Sequence, residues 1–459
     1  MDFTQVLILV FAIFYIGFII YTRKGGNFKE FSVANRNIGG FLVFATICAT
    51  YIGPAMTLGF SRDGASNGYS LILLSCISTL GLFLGGWIFA ARIREKFSDA
   101  YSIGDVIAHK STHNHPAVKV TVGFFSLLML GSIFIVISYA GGELINNIFG
   151  FSKIWSIAIM TSIVILYSAF GGIRATIQTD AIQFVNFIVI IPLLALIIFF
   201  RDDFSFSSYL SQSSAKAETV FNSMNGMAIF GTVFFWFITS TGLDAALVGR
   251  FLSSEKPKIA KRSTMWASIF LLFWTILMVF IGDAGQMLLP DLEVSDQSLL
   301  IIAKAFLPEV FYGIFIIAMI GVVMSTQDSA LNTSCILFSE DIAGGLKPNM
   351  TDKQKLLTAK LITVVLGIAA ILIAGLLTSV LQSIIFILSH SITVLLPITV
   401  FSVLVKNPNW KSAIPTMMAG LMSQLLWENF VDSALPSTLI GLACGSLVYF
   451  VLHKSLKPA

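Results

Sequence analysis

Apolar residues run along this chain in long blocks, each near the roughly 20 residues that a helix needs to cross a bilayer. Thirteen blocks can be drawn, at 5–22, 38–60, 68–91, 118–147, 153–170, 175–200, 227–250, 263–288, 309–343, 354–378, 380–405, 412–429 and 436–453. Short polar loops separate them. Period-two alternation is absent, which argues against a membrane barrel. The first block has no basic residue before it and no small-residue cleavage site after it. It is expected to be a retained helix rather than a signal peptide.

Two blocks carry helix breakers in their middles. The second reads ATICATYIGPAMTLGF, with Gly53-Pro54 at its centre. Proline lacks an N–H and clashes with the preceding turn, and glycine weakens a helix. The seventh reads FGTVFFWFITSTGLDAALVGRF, with Thr239-Ser240-Thr241-Gly242 at its centre. The spacing suggests two five-helix halves, and five is odd, so they would insert with opposite orientation. The expected division is an extra N-terminal helix and loop (1–37), a first repeat (38–226), a second repeat (227–405), and two C-terminal helices with a short tail (406–459). Interrupted helices at matching places of inverted halves point to a transporter binding site, because unwound backbone exposes carbonyls at a depth without water.

Composition agrees with a membrane protein. The chain is 56% hydrophobic and 11% charged, against roughly 25% charged residues in soluble domains. Placing the N-terminus outside puts 23 of the 28 Lys and Arg residues in inner loops, which fits an odd number of spans with the C-terminus inside. A soluble enzyme and a nucleic-acid binder are excluded on this composition. The four cysteines lie far apart in apolar blocks without zinc or disulfide spacing. His109, His113 and His115 share a polar loop with no acidic or Cys partner, and carry no metal expectation. Gly81/Gly85 and Gly441/Gly445 have GxxxG spacing, which packing within one chain explains as well as dimerisation does. The assembly expected is a monomer.

The ninth block holds the most pointed chemistry, GVVMSTQDSALNTSC. Val322, Ser325, Thr326 and Ser329 recur at i, i+3, i+4 and i+7, one helix face, and Asp328 flanks it. Hydroxyl and carbonyl oxygens beside a carboxylate suit a hard cation such as sodium. Hydroxyls bonded back to the preceding turn are the structural alternative. A second membrane-depth acid, Asp180, stands in GGIRATIQTDAIQF after the Gly171-Gly172 turn. Its six-residue spacing from Arg174 does not put the two on one face. Between the two breaks a solute cavity is expected, with Thr50, Tyr51, Trp236, Ser240, Thr241 and Asp244 as candidates. Asp244 has a structural alternative as the cap of the following half-helix. His390, in FILSHSITVLLP, is a further solute candidate, against the plain reading of a helix-bonding core residue.

These motifs resemble those of the sodium:solute symporter family. GGIRATIQTDAIQF is similar to its GG-x-x-A-x-x-x-TD-x-x-Q signature, and MSTQDSALNTSCILFSED to its STADS-type stretch. ATYIGPAMTLG and DAALVGRFLSS resemble its first broken helix and its seventh-helix ending. The resemblance implies a leucine-transporter-type fold of 5+5 inverted helices, with one helix before and two after. It implies a sodium site from the carbonyls of Ala49, Ile52 and Val322 and the hydroxyls of Ser325 and Thr326. For some members it implies a second sodium, here at Asp180, Ser325, Asp328 and Ser329, although gating or pairing is the other role open to Asp180. Gly53-Pro54-Ala55-Met56 replaces the family's SASS stretch, and neither proline nor a hexose is well supported as solute.

The expected protein is therefore an all-α, thirteen-helix secondary active symporter, not an enzyme. It would use sodium to import a small organic solute such as an amino or organic acid. Its expected place is a bacterial inner membrane, in contact with lipid and not nucleic acid. Proton coupling through Asp180 or Asp328 is the alternative within the same fold. A non-transporting sensor is the alternative outside it, and a membrane-embedded enzyme would leave the paired breaks unexplained.

Overall fold

The computed structural model describes residues 26–455 apart from 111, 114, 378, 379, 407, 432 and 434, together with positions 6, 7, 10 and 17. The expected first helix, 5–22, lies outside the described residues save for those four positions. The described residues are mainly helical, and among them one parallel bridge joins Ile38 to Ser254.

In chain order the helices are α1 (Phe28–Val33), α2 (Gly40–Tyr51), α3 (Ala55–Asn67), α4 (Ser70–Lys96), α5 (Ile103–Ile107), α6 (Pro116–Phe149), α7 (Lys153–Ala169), α8 (Gly171–Phe199) and α9 (Phe206–Asn222). They continue with α10 (Gly226–Thr239), α11 (Ala245–Ser253), α12 (Pro257–Leu288), α13 (Ser298–Phe306), α14 (Glu309–Leu346), α15 (Asp352–Ala374), α16 (Val380–Leu404), α17 (Trp410–Phe430) and α18 (Ser437–Ser455). Eight of these are long and apolar enough to cross a membrane, or up to ten if each bent pair counts as one span.

Both breaks are present. The chain turns by 65° between α2 and α3. Pro54 has no N–H to give the carbonyl of Thr50, and the N–H of Gly53 goes to Tyr51 at 2.8 Å instead of to Ala49. Two helix carbonyls are thus released at one point. The second break separates α10 from α11. Gly242 adopts φ +68°, a left-handed conformation that glycine takes without strain, and Asp244 restarts the helix by accepting the N–H of Leu247 at 2.9 Å. The boundary between α7 and α8 is likewise set by Gly172 at φ +58°, where a Cβ would meet the Phe31 backbone oxygen at 2.7 Å.

Helix α14 is the centre of the bundle. Two thirds of its apolar window is buried, against 22% for α15 at the periphery, and it packs on α8, α6, α15 and α2. Large apolar side chains such as Trp155, Leu166, Val189, Leu372 and Leu447 are exposed on the outer helices. Both GxxxG pairs are used inside the chain. Cβ atoms at Gly81 and Gly85 would strike the carbonyls of Phe237 and Thr241, and one at Gly441 would meet that of Gly420 at 2.8 Å.

Candidate functional site

The end of α2 meets the middle of α14 at the released carbonyls. Ser325 donates to the carbonyl of Ala49 at 3.0 Å, with Val322 O at 3.1 Å, and Thr326 reaches Thr50 O at 3.3 Å, with Val322 O at 3.4 Å. Ile52 is fully buried in the break. The backbones approach so closely that a Cβ on Gly53 would lie 2.6 Å from the Thr326 hydroxyl. The Val322–Ser325–Thr326 face expected from periodicity meets the carbonyls of Ala49 and Thr50. These carbonyl and hydroxyl oxygens are hard and uncharged, a donor chemistry that suits a monovalent hard cation.

Deeper on the same face of α14 lies a buried charged cluster. Ser329 Oγ stands 3.1 Å from Thr50 Oγ1 and accepts from the Arg250 guanidinium at 2.5 Å. Arg250 Nη2 is 3.9 Å from Asp180, which also accepts from Thr46 at 2.5 Å. Asp328 accepts from Tyr167 at 2.6 Å and Thr179 at 3.4 Å. Arg250 is 1% exposed and both acids are fully buried. One oxygen of each acid, Asp180 Oδ1 and Asp328 Oδ1, has no hydrogen-bond partner. Arg174 turns away, pairing with Glu30 and the Ala34 carbonyl.

Arg250 is the residue that sequence reasoning missed. It counts as one of the basic residues at an inner boundary, yet all nine residues of α11 are buried. A charge inside so apolar a segment, ALVGRFLS, is the signal that could have found it. Of the expected second sodium set, Asp180 and Ser329 lie against this fixed cation, while Ser325 turns to the Ala49 carbonyl and Asp328 to Tyr167 and Thr179.

Between the two breaks lies a cavity of about 250 Å³. Thr50, Tyr51, Trp236, Ser240, Asp244 and Thr326 all line it. The two broken elements touch across it. Tyr51 donates to Asp244 Oδ2 at 2.9 Å, and the rings of Phe60 and Trp236 lie 6.0 Å apart. Asp244 is thus both the expected cap of α11 and a wall of the cavity. Two solute candidates fall elsewhere. Thr241 is outside the lining, its hydroxyl given to the Ile238 carbonyl at 3.1 Å. His390 is also outside it, because Glu428 on α17 draws its Nε2 to 3.1 Å while Nδ1 sits 3.0 Å from Phe386 O.

Comparison with known proteins bears on this arrangement. The sodium:solute symporter family profile matches residues 31–420. The sodium/proline symporter 2 of Staphylococcus saprophyticus is 24% identical, over 99% of this chain and 93% of its own. A sodium/proline symporter of Staphylococcus aureus is 25% identical, over 81% of this chain and 75% of its own. Among solved structures, a substrate-bound, outward-open Na+-coupled sialic acid symporter superposes with TM-score 0.85 at 17% identity, covering 100% of this chain and 98% of that one. The nucleobase-cation-symport-1 transporter Mhp1, in a closed conformation, gives TM-score 0.61 at 14% identity, covering 93% and 94%. These likenesses show the leucine-transporter-type fold. With a profile matching most of its length, the chain belongs to the sodium:solute symporter family, a family of multi-pass membrane transporters and not of enzymes.

Proposed function

We propose that sodium binds where α2 ends against α14, held by the carbonyls of Ala49, Ile52 and Val322 and the hydroxyls of Ser325 and Thr326. The observation that carries this reading is the meeting of released α2 carbonyls with the two hydroxyls of α14. Those hydroxyls each turn a proton to a carbonyl, and an entering cation would draw their lone pairs instead. The ion would tie the first broken helix to the central helix and so fix one wall of the solute cavity. A sodium ion moving inward gains about 2.3 kcal/mol per 100 mV, and rocking of the repeats 38–226 and 227–405 would open the cavity inward.

We read a single sodium per cycle, with Arg250 serving as a tethered cation among Asp180, Asp328 and Ser329. The lysine and arginine bias supports an outer N-terminus and an inner C-terminus in a cell membrane, and the exposed apolar side chains of the outer helices support lipid contact. The relatives named as sodium/proline symporters favour an amino-acid-sized solute.

The test is charge movement in proteoliposomes challenged with a panel of amino acids, amines and organic acids. Solute should evoke inward current only with sodium outside, and Thr326→Ala should abolish it. Solute currents that follow a proton gradient and ignore sodium would overturn the reading.

A further inference from the structure

The chemistry of the cavity wall narrows the solute, an inference that rests on reading the cavity as the solute site. Among the described residues of the lining there is no Lys, Arg or His, and Asp244 is the one carboxylate. Its two oxygens take one donor each, Leu247 N–H and Tyr51 O–H, both at 2.9 Å. A carboxylate oxygen accepts two hydrogen bonds, so each retains capacity. The carboxylate is therefore oriented but not saturated.

Five hydroxyls around it point the same way, alongside Ser240 and Ser75, the buried Oγ of Ser75 having no partner among the described residues. Ser78, Thr239, Ser268 and Thr275 each donate to a backbone carbonyl, and Tyr51 donates to Asp244. With their protons committed, these groups offer lone pairs to whatever enters. The remaining wall is largely apolar, including Met56, Phe60, Leu82, Ile133, Trp236 and Leu388. An entering carboxylate would meet Asp244 with no basic side chain to offset it. An ammonium group would meet an anion and a set of acceptors.

We propose that Asp244, braced by Tyr51 and by the N-terminus of α11, recognises the ammonium group of a solute whose body is apolar. The solute class is a primary or secondary amine, an amino acid being accommodated only through its ammonium end. Asp244 is then the specificity-determining residue. Its position on the second broken helix, bonded to a tyrosine of the first, lets one head group bridge both.

The experiment is a binding panel on the full-length purified protein in saturating sodium, read as thermal stabilisation. Phenethylamine, cyclohexylamine and proline would be compared with phenylacetate and phenylethanol. The amines should stabilise at concentrations at least tenfold below those needed for phenylacetate. Asp244→Asn keeps a competent helix cap and removes the charge. It should weaken the amines at least tenfold while leaving the sodium shift intact, and Tyr51→Phe should weaken them less. Equal stabilisation by phenylacetate, absence of stabilisation by every amine, or an unchanged amine response in Asp244→Asn would each overturn the proposal. Loss of the sodium shift in the unmodified protein would instead defeat the sodium reading, so the two failures are separate.

Discussion

Replacing Gly53 by alanine tests the seam between α2 and α14 while leaving every proposed ligand in the sequence. The added Cβ would lie 2.6 Å from Thr326 Oγ1, about 0.8 Å inside the 3.4 Å at which ordinary contact begins, and it would also press on Thr326 Cγ2 at 3.2 Å. Gly53 does not need a left-handed φ, so the effect is steric and not conformational. Overpacking of this kind costs about 1–3 kcal/mol. The strain falls across the contact that the ion would bridge, so the closed, ion-bound arrangement bears it most. A loss of about 1.4 kcal/mol weakens affinity tenfold. At a sodium concentration of about 100 times Kd, sodium stabilises the wild type by about 2.7 kcal/mol, and after a tenfold loss by about 1.4 kcal/mol. The assay is thermal unfolding in sodium against potassium at equal ionic strength. Gly40→Ala is the control, because a Cβ there meets nothing within 4 Å. A Gly53→Ala protein that folds and keeps the full sodium stabilisation would refute the placement of the ion at this seam.

Arg250→Met should strand Asp180 in the core at a cost of about 3–5 kcal/mol. Sodium should then recover part of that stability, and its titration should steepen from a single-site curve; an unaltered single-site curve in a folded variant would contradict the tethered-cation role. On the loop before α6, burial depresses the His113 imidazole to about 4, with His453 adding like charge. The unfolded chain therefore binds the extra proton between about pH 6.5 and 4, so stability should fall as pH drops through that window, by up to about 3 kcal/mol. Melting curves against pH should flatten in His113→Phe, and an identical slope would count against this. Lys216 ties the outer helix α9 to Asp283 at 2.6 Å and to Ala65 O at 2.8 Å. Lys216→Met should cost about 1–3 kcal/mol by leaving buried Asp283 without its partner, and addition of Asp283→Asn should recover more than half of it, both read from melting curves.

Local chemistry made the architecture legible. Gly53-Pro54 and Gly242 mark breaks because their backbone limits act within a turn, and the Val322–Ser325–Thr326 face follows from helical periodicity alone. Asp244 was readable as a cap for the same local reason. Arg250 and His390 depended on partners far away in sequence. Arg250 looked like an interface residue until α11 was seen folded against α8 and α14. For His390 the sequence offered both a cavity group and a helix-bonding residue, and the structure sets its ring against Glu428, 38 residues on. The carbonyl of Thr50 belongs between these cases, since Pro54 announces its release but only the packing of α14 shows what meets it.

The most direct measurement is a calorimetric titration of sodium into the purified protein in potassium buffer, with Ser325→Ala, Thr326→Ala and Asp244→Asn alongside. One sodium per chain is expected, weakened at least tenfold by either hydroxyl deletion and unchanged in Asp244→Asn. No sodium-specific binding, or binding that survives both hydroxyl deletions undiminished, would contradict sodium coupling through the α2–α14 seam.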